Sequence, residues 1–360
     1  MNLRLALLRA MPALLLATLL SPAASALEIA GKNYTAPADL PAPKPVSGPP
    51  LKRKFCVWDI AGANGDIFRA ISDMRIGILR FGIDFELVPY TNERIAAEDF
   101  KAGRCDAVNL MTLRARNFLT FAGSLDAFGA VPSRDHLKLA LEALADPRMA
   151  PKLRQGPYEV AAFVPIGPAY IFTNDRNVTS IARAAGKRIA VLDDDPTMAK
   201  MVAGIGGAPV PVNVTNFAGK FNNGTVDIIA APLAAYRPFE LYKGLEPRGG
   251  IVRFPLTFLT AQVIVRHERF PPEMIQYSRS LIGRHFESTM EILNATIGDV
   301  PEKYWIEIPK ADMLRYELMM REARIQLRGE GYYDGDMLAL LRKVRCKLDG
   351  SRGECTDKQE

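Results

Sequence analysis

One order of short apolar runs and polar, helix-like stretches occurs twice in this chain. The first copy runs Lys54-Phe55-Cys56-Val57-Trp58-Asp59, a helical stretch, Phe85-Glu86-Leu87-Val88-Pro89-Tyr90-Thr91-Asn92, a short helix, then Gly103-Arg104-Cys105-Asp106-Ala107-Val108-Asn109-Leu110. The second runs Arg188-Ile189-Ala190-Val191-Leu192-Asp193, a helical stretch, Val210-Pro211-Val212-Asn213-Val214-Thr215-Asn216, a short helix, then Gly224-Thr225-Val226-Asp227-Ile228-Ile229-Ala230. Short apolar strands alternating with helices predict parallel sheets joined by right-handed crossovers. Two such units predict an α/β protein of two similar lobes. Ligands in open α/β sheets sit beyond the carboxyl ends of strands, so facing lobes define a cleft. One continuous sheet, or a seam packed solid with apolar side chains, would contradict that expectation.

The chain opens like an exported protein. Arg4 and Arg9 precede an apolar run over Leu14–Leu20, and Ala24-Ser25-Ala26 forms a small-residue cleavage site. A cleaved signal peptide over 1–26 and a periplasmic destination follow. Residues 27–51 carry Pro37, Pro41, Pro43, Pro45, Pro49 and Pro50, a composition that favours extended backbone over core formation. The remaining chain is long enough for two substantial cores. The formal charge is +6, which loss of Arg4 and Arg9 lowers to about +4. That excess is spread out, with no basic-aromatic ladder to argue for nucleic acid.

Four cysteines in an exported chain suggest two disulfides. Cys346 and Cys355 are close in sequence. Cys56 and Cys105 lie at strands that are neighbours in a doubly wound order. No zinc spacing is present, and His136, His267 and His285 are scattered. GxSxG, HExxH, a P-loop and GxGxxG after a strand are all missing, so neither an enzyme nor a cofactor is expected. Asp193-Asp194-Asp195 reads as a helix start, with Asp195 capping a helix that Pro196 begins, rather than as a cation site.

The lobe bounds follow from the pattern. Lobe one takes 52–165 and 258–345, lobe two takes 166–257, and 346–360 is a polar tail. Residues 112–122 and Leu137–Leu144 read as helices. Val160–Val164 and Ala169–Thr173 read as two strands split by Pro165-Ile166-Gly167-Pro168, and Leu256–Val265 as a strand returning to lobe one. Lobe two is thus inserted into lobe one, with two crossing strands as a hinge. Amphipathic stretches after Pro272, over Ala311–Leu327 and over Asp336–Arg345 predict long helices that brace both lobes.

Each strand end supplies a small polar loop for the cleft. The first offers Trp58, Asp59 and Asn64, with Asp66 as a helix cap. The second offers Asn109, Thr112 (a candidate cap) and either Arg114 or Arg116; side chains at i and i+2 of a helix diverge, and Arg114 is preferred. Tyr170 is a candidate aromatic wall. Tyr236 and Arg237 face the cleft from lobe two, and Asn216 either caps a helix or joins them.

The ordered blocks Gly103–Arg116 and Gly123-Ser124-Leu125-Asp126-Ala127-Phe128-Gly129-Ala130-Val131-Pro132-Ser133 resemble the periplasmic solute-binding superfamily. They are most similar to the DctP-like receptors of tripartite ATP-independent periplasmic (TRAP) transporters, in the branch that includes AdeT-type sequences. The resemblance covers about 52–345. It implies a type II-like periplasmic-binding fold, a small polar or anionic solute, delivery to membrane permease subunits, and no catalysis. It also implies a carboxylate-clamping arginine in the first strand of lobe two, where this chain has Ala190 within Gly186-Lys187-Arg188-Ile189-Ala190-Val191. Arg114 or Arg237 then has to supply the charge. Two rivals are a periplasmic enzyme on the same fold and an accessory protein of an efflux or envelope assembly.

Overall fold

The computed structural model describes residues 48–193, 195–297 and 300–360, together with two short paired strands, Leu27–Ile29 and Lys32–Tyr34. The expected signal peptide and most of the proline-rich leader lie outside the described residues. Single-turn helices and the shortest strands aside, the first unit is β1 (Leu51–Trp58), α1 (Asp66–Leu79), β2 (Ile83–Tyr90), α2 (Glu93–Lys101) and β3 (Ala107–Met111). A helix α3 (Arg134–Ala145) and the long strand β4 (Tyr158–Thr173) follow. The second unit is β5 (Arg188–Leu192), α4 (Pro196–Gly204), β6 (Ala208–Val212), α5 (Phe217–Asn222) and β7 (Ile228–Pro232). The chain closes with β8 (Gly250–Val252), β9 (Thr257–Arg266), α6 (Pro272–Ile297), β10 (Trp305–Ile306), α7 (Lys310–Gly329) and α8 (Gly335–Leu348).

Both units have the same strand order. In the first, β1 lies between β2 and β3, all parallel. In the second, β5 lies between β6 and β7, again parallel. The repetition seen in the sequence is therefore a repetition of topology.

The sheet itself departs from the expectation. Hydrogen bonding runs unbroken through β2-β1-β3-β9-β4-β7-β5-β6. The reason is the pair of crossing strands. β4 pairs antiparallel with β9 along its first part and with β7 along its last, so it belongs to both halves. Continuity thus comes from the hinge and not from a merger of the two units. The cores remain separate: Phe100, Leu110, Leu137 and Leu341 pack in one, and Phe172, Phe221, Ile229 and Leu245 in the other. The architecture is two-lobed.

The expected break at Pro165–Pro168 is absent, because β4 runs through both prolines. Its register with β9 jumps from Gly167↔Leu259 to Pro165↔Thr260, leaving Ile166 as an extra residue. Such a bulge accommodates residues that cannot donate to the ladder. Residues 112–122 also differ from expectation. They form two single turns, Thr112–Ala115 and Thr120–Gly123, instead of one helix.

The terminal helices bind the halves together. α6 begins on the first core, where Arg279 meets Glu159, and reaches the hinge, where Leu293 lies beside Gly167. Val300, Tyr304 and Trp305 then enter the second core. α7 returns, with Tyr316 near Val252 at one end and Leu327 in the first core at the other. Both disulfides are formed, Cys56–Cys105 and Cys346–Cys355. The tail is not loose: Glu354 and Glu360 are buried against Arg345 and Arg324.

Candidate functional site

Several polar residues expected in the cleft are engaged in building the loops around it. The Asp59 carboxylate accepts hydrogen bonds from Ala61 N at 2.9 Å, Ile67 N at 2.8 Å and Phe68 N at 3.1 Å. It therefore caps α1 from a distance and replaces Asp66 in that role. Gly65 has to be glycine, since a Cβ there would sit 1.9 Å from that carboxylate. Asn109 accepts from the Trp58 N–H at 2.8 Å and donates to the Trp58 carbonyl at 2.9 Å. Its amide thus satisfies backbone groups at the end of β1, and Trp58 is buried beside it. Asn216 accepts from Asn213 N and makes no side-chain cap. Tyr236 is buried in the second core, edge-on to Tyr242. Among the expected contacts, Asn64 and Arg237 are exposed, and Tyr170 is half-buried against Trp305.

The two arginines of the second loop diverge, as their spacing predicts. Arg114 donates from Nε to Glu93 at 3.0 Å, and Glu93 also accepts from Met111 N at 2.7 Å. Arg116 points inward and is 7% exposed. Its Nε donates to the Gly123 carbonyl at 3.1 Å, while Nη2 is buried without a hydrogen-bond partner. Its guanidinium lies 4.2 Å from the Tyr332 ring centre and 4.9 Å from that of Tyr333. Cation–π attraction of this kind stabilises a desolvated guanidinium.

Below it runs a directed chain of buried hydrogen bonds. Gln262 on β9 donates to Thr112 Oγ1 at 3.1 Å and to the Ala122 carbonyl at 2.8 Å. Thr112 meets Thr260 at 2.7 Å, and Thr260 Oγ1 donates to Asp126 at 2.6 Å. Thr112 therefore belongs to this network and not to a helix cap. Burial pushes the Asp126 carboxyl up to about 7, against the pull of Thr260 and of the Arg116 charge. The Oε1 atom of Gln262 is buried without a partner.

The lobes touch at the same place. The Tyr332 hydroxyl donates to Asp195, whose other carboxylate oxygen caps α4 through Thr197 N and Met198 N, as the sequence predicts. Burial, with the Asp195 charge nearby, raises the Tyr332 hydroxyl well above its ordinary value. Tyr332 and Tyr333 come from the turn between α7 and α8, and no periodicity or motif in the sequence marks them. Arg188 lies at the far end of β5, paired with Asp227 and the Gly224 carbonyl, and Ala190 is buried in the strand.

Two lobes joined by paired crossing strands and meeting where Tyr332 of one bonds Asp195 of the other define a binding protein of the solute-receptor type. Residues 72–360 match the family model described as solute-binding protein AdeT 1/2. The chain is 44% identical over 299 residues to the probable solute-binding protein AdeT1 of Acinetobacter baumannii, covering 83% of this chain and 98% of the relative. It therefore belongs to the AdeT 1/2 solute-binding protein family. In fold it is similar to a TRAP periplasmic solute-binding protein from Desulfovibrio salexigens solved with orotic acid. The TM-score is 0.67 at 14% identity, over 82% of this chain and 99% of that one. It is also similar to DctP7, a Bordetella pertussis extracytoplasmic solute receptor binding pyroglutamic acid. There the TM-score is 0.64 at 13% identity, over 82% and 99% of the two chains.

Proposed function

We propose that this chain is the periplasmic receptor of a TRAP-type transporter, exported by a cleaved signal peptide over 1–26. It captures a small polar or anionic solute between lobe one (52–165 and 258–345) and lobe two (166–257), and presents it to membrane permease subunits. The observation that carries this reading is the Tyr332–Asp195 contact. It joins a residue of the turn between α7 and α8 to the start of α4 in the second unit. A contact of that kind is made on closure and lost on opening, so solute that bridges the lobes selects the closed state. Among the described residues no helix is long and apolar enough to cross a membrane. Similar folds solved with orotic acid and with pyroglutamic acid support a small acid as the cargo. In this reading Asn64, Tyr170 and Arg237 add contacts to the solute; Asn64 and Arg237 are exposed and Tyr170 is half-buried.

The test is mass spectrometry of small molecules released from the mature protein after export, followed by X-ray scattering with the recovered compound added back. A solute that reduces the radius of gyration and is recovered unchanged supports the receptor reading. Chemical conversion of the solute would make the protein an enzyme, and unchanged scattering would remove closure from the account.

A further inference from the structure

We propose that a second copy of this chain docks on the outward face of α7, so that two copies pair antiparallel along this helix. The inner face of α7 is spent on its own core, where Tyr316, Met320, Arg324 and Leu327 are buried. Its outer face is apolar as well. Ala311, Leu314, Leu318 and Ile325 follow one another at steps of three, four and seven residues along one stripe, and Leu314 and Leu318 are 60% and 57% exposed. The heptad position between Leu318 and Ile325 is Arg321, which turns aside to Asp357 of the tail. A helix with two apolar faces has one more than its own fold uses.

A groove of 590 Å³ runs beside the stripe. Leu314 and Leu318 line it together with Pro132, Phe254, Pro255 and Met320, and so does the loop that Cys346–Cys355 closes. Contiguous exposed apolar surface of this kind marks an interaction face. A ridge beside a groove suits a two-fold axis, since the ridge of each copy enters the groove of the other. Charge selects the second copy as the occupant. Arg315 and Glu322 lie on one flank of the stripe, a heptad apart, and both are exposed. Equivalent flanks face each other across an antiparallel pair. Arg315 therefore meets Glu322 of the second copy, and Glu322 meets its Arg315. Within its own chain Arg315 bonds Asp312 at 3.2 Å while 75% exposed, a pair that yields to a new partner at little cost. The inference stands apart from the receptor reading, because none of these residues is placed in the cleft.

The experiment follows the mature protein by sedimentation velocity over a dilution series. A species of twice the chain mass that dissociates on dilution is expected. Leu314→Ser with Leu318→Ser raises its dissociation constant at least about tenfold. Arg315→Glu and Glu322→Arg each weaken the pairing, and the two together in one chain restore it, which the loss of a merely structural contact does not do. All four positions are exposed, and circular dichroism verifies the fold of each variant. A wild type that is monomeric at its highest soluble concentration overturns the proposal. That includes the case in which α7 gains hydrogen-exchange protection only from added phospholipid vesicles or permease subunits. A dimer indifferent to the leucine substitutions, or one that the charge exchange fails to restore, overturns it too.

Discussion

The two copies share a strand order but differ in how firmly they are held. In the first, Cys56–Cys105 ties β1 to the segment entering β3, across a Cα separation of 5.8 Å. Asn109 and Glu93 bond backbone groups at strand ends, Asp59 bonds the first turn of α1, and α3, α6 and α8 cover the sheet. The second copy has no disulfide, since all four cysteines are paired elsewhere. Its outer strand β6 is largely exposed and carries Pro209 and Pro211, which blunt an open edge. The difference predicts that the first lobe, with its terminal helices, is the base and the second the part that swings. Stability is not uniform in such a molecule, and moving elements come from its weaker end.

The largest expected effect is at the base. Arg345 is fully buried and donates to both Glu354 oxygens at 2.7 Å, to Glu360 and, at 2.9 Å, to the Ala130 carbonyl. Arg345→Ala removes the main partner of two buried carboxylates, leaving Glu360 to Arg324 and Glu354 to Arg324 and Arg352, and breaking a buried pair costs up to about 3–5 kcal/mol. Urea unfolding of the whole protein measures it. The same pair gives a pH signature. Burial alone would raise the Glu354 carboxyl, but the Arg345 hydrogen bonds and charge bring it down to about 2 from 4.5. A depressed carboxylate contributes its stability in full above its unfolded value and loses it as pH falls through the folded one. The protein should therefore weaken between about pH 4.5 and pH 2, and less steeply in Arg345→Ala.

Next comes the covalent tie. Replacing Cys56 and Cys105 together by alanine should cost about 2–4 kcal/mol, mainly through the unfolded chain. Hydrogen exchange tests the comparison directly: amides of β1 and β3 should lose their protection advantage over those of β5 and β7. Equal protection of both copies in the wild type would break the base-and-swing picture before any mutation is made.

The repeated units, the returning strand, the bracing helices and both cysteine pairs were legible in the sequence, because each has a local period or a fixed topological consequence. The partners of the polar loop residues were not. Spacing showed that Arg114 and Arg116 diverge, but the inward one is decided by Tyr332 and Tyr333, more than two hundred positions later. Asn109 and Asp59 looked like ligand contacts because a strand-end polar residue has two possible clients, a solute or the neighbouring backbone. The pairing of β1 with β3 brings Asn109 onto the Trp58 backbone, and the first turn of α1 brings its N–H groups onto Asp59. Tyr332→Phe sharpens this point. It keeps the ring over Arg116 and deletes the bond to Asp195. Loss of a hydrogen bond to a charged group is worth about 1.5–3 kcal/mol where it is fully made. It should appear as a wider solute-free conformation in X-ray scattering, with little change in the stability of the first core.

The smallest effect belongs to the swinging copy. Arg188 is paired with Asp227 at 2.7 Å, but its side chain is 48% exposed. Arg188→Ala should cost about 0.2–1 kcal/mol, the range for a pair screened by water. The hydrogen bond from Arg188 holds the Asp227 carboxyl down to about 2, so the loss should fade as pH falls toward that value. Both pairs thus depress a carboxylate to a similar degree, and only burial separates their consequences. In the base a carboxylate that loses Arg345 has no water to turn to, whereas Asp227 recovers much of its hydration when Arg188 is removed. If the two substitutions cost the same at pH 7, burial is not what distinguishes the copies, and the greater rigidity of the base would have to come from its disulfide and helices alone.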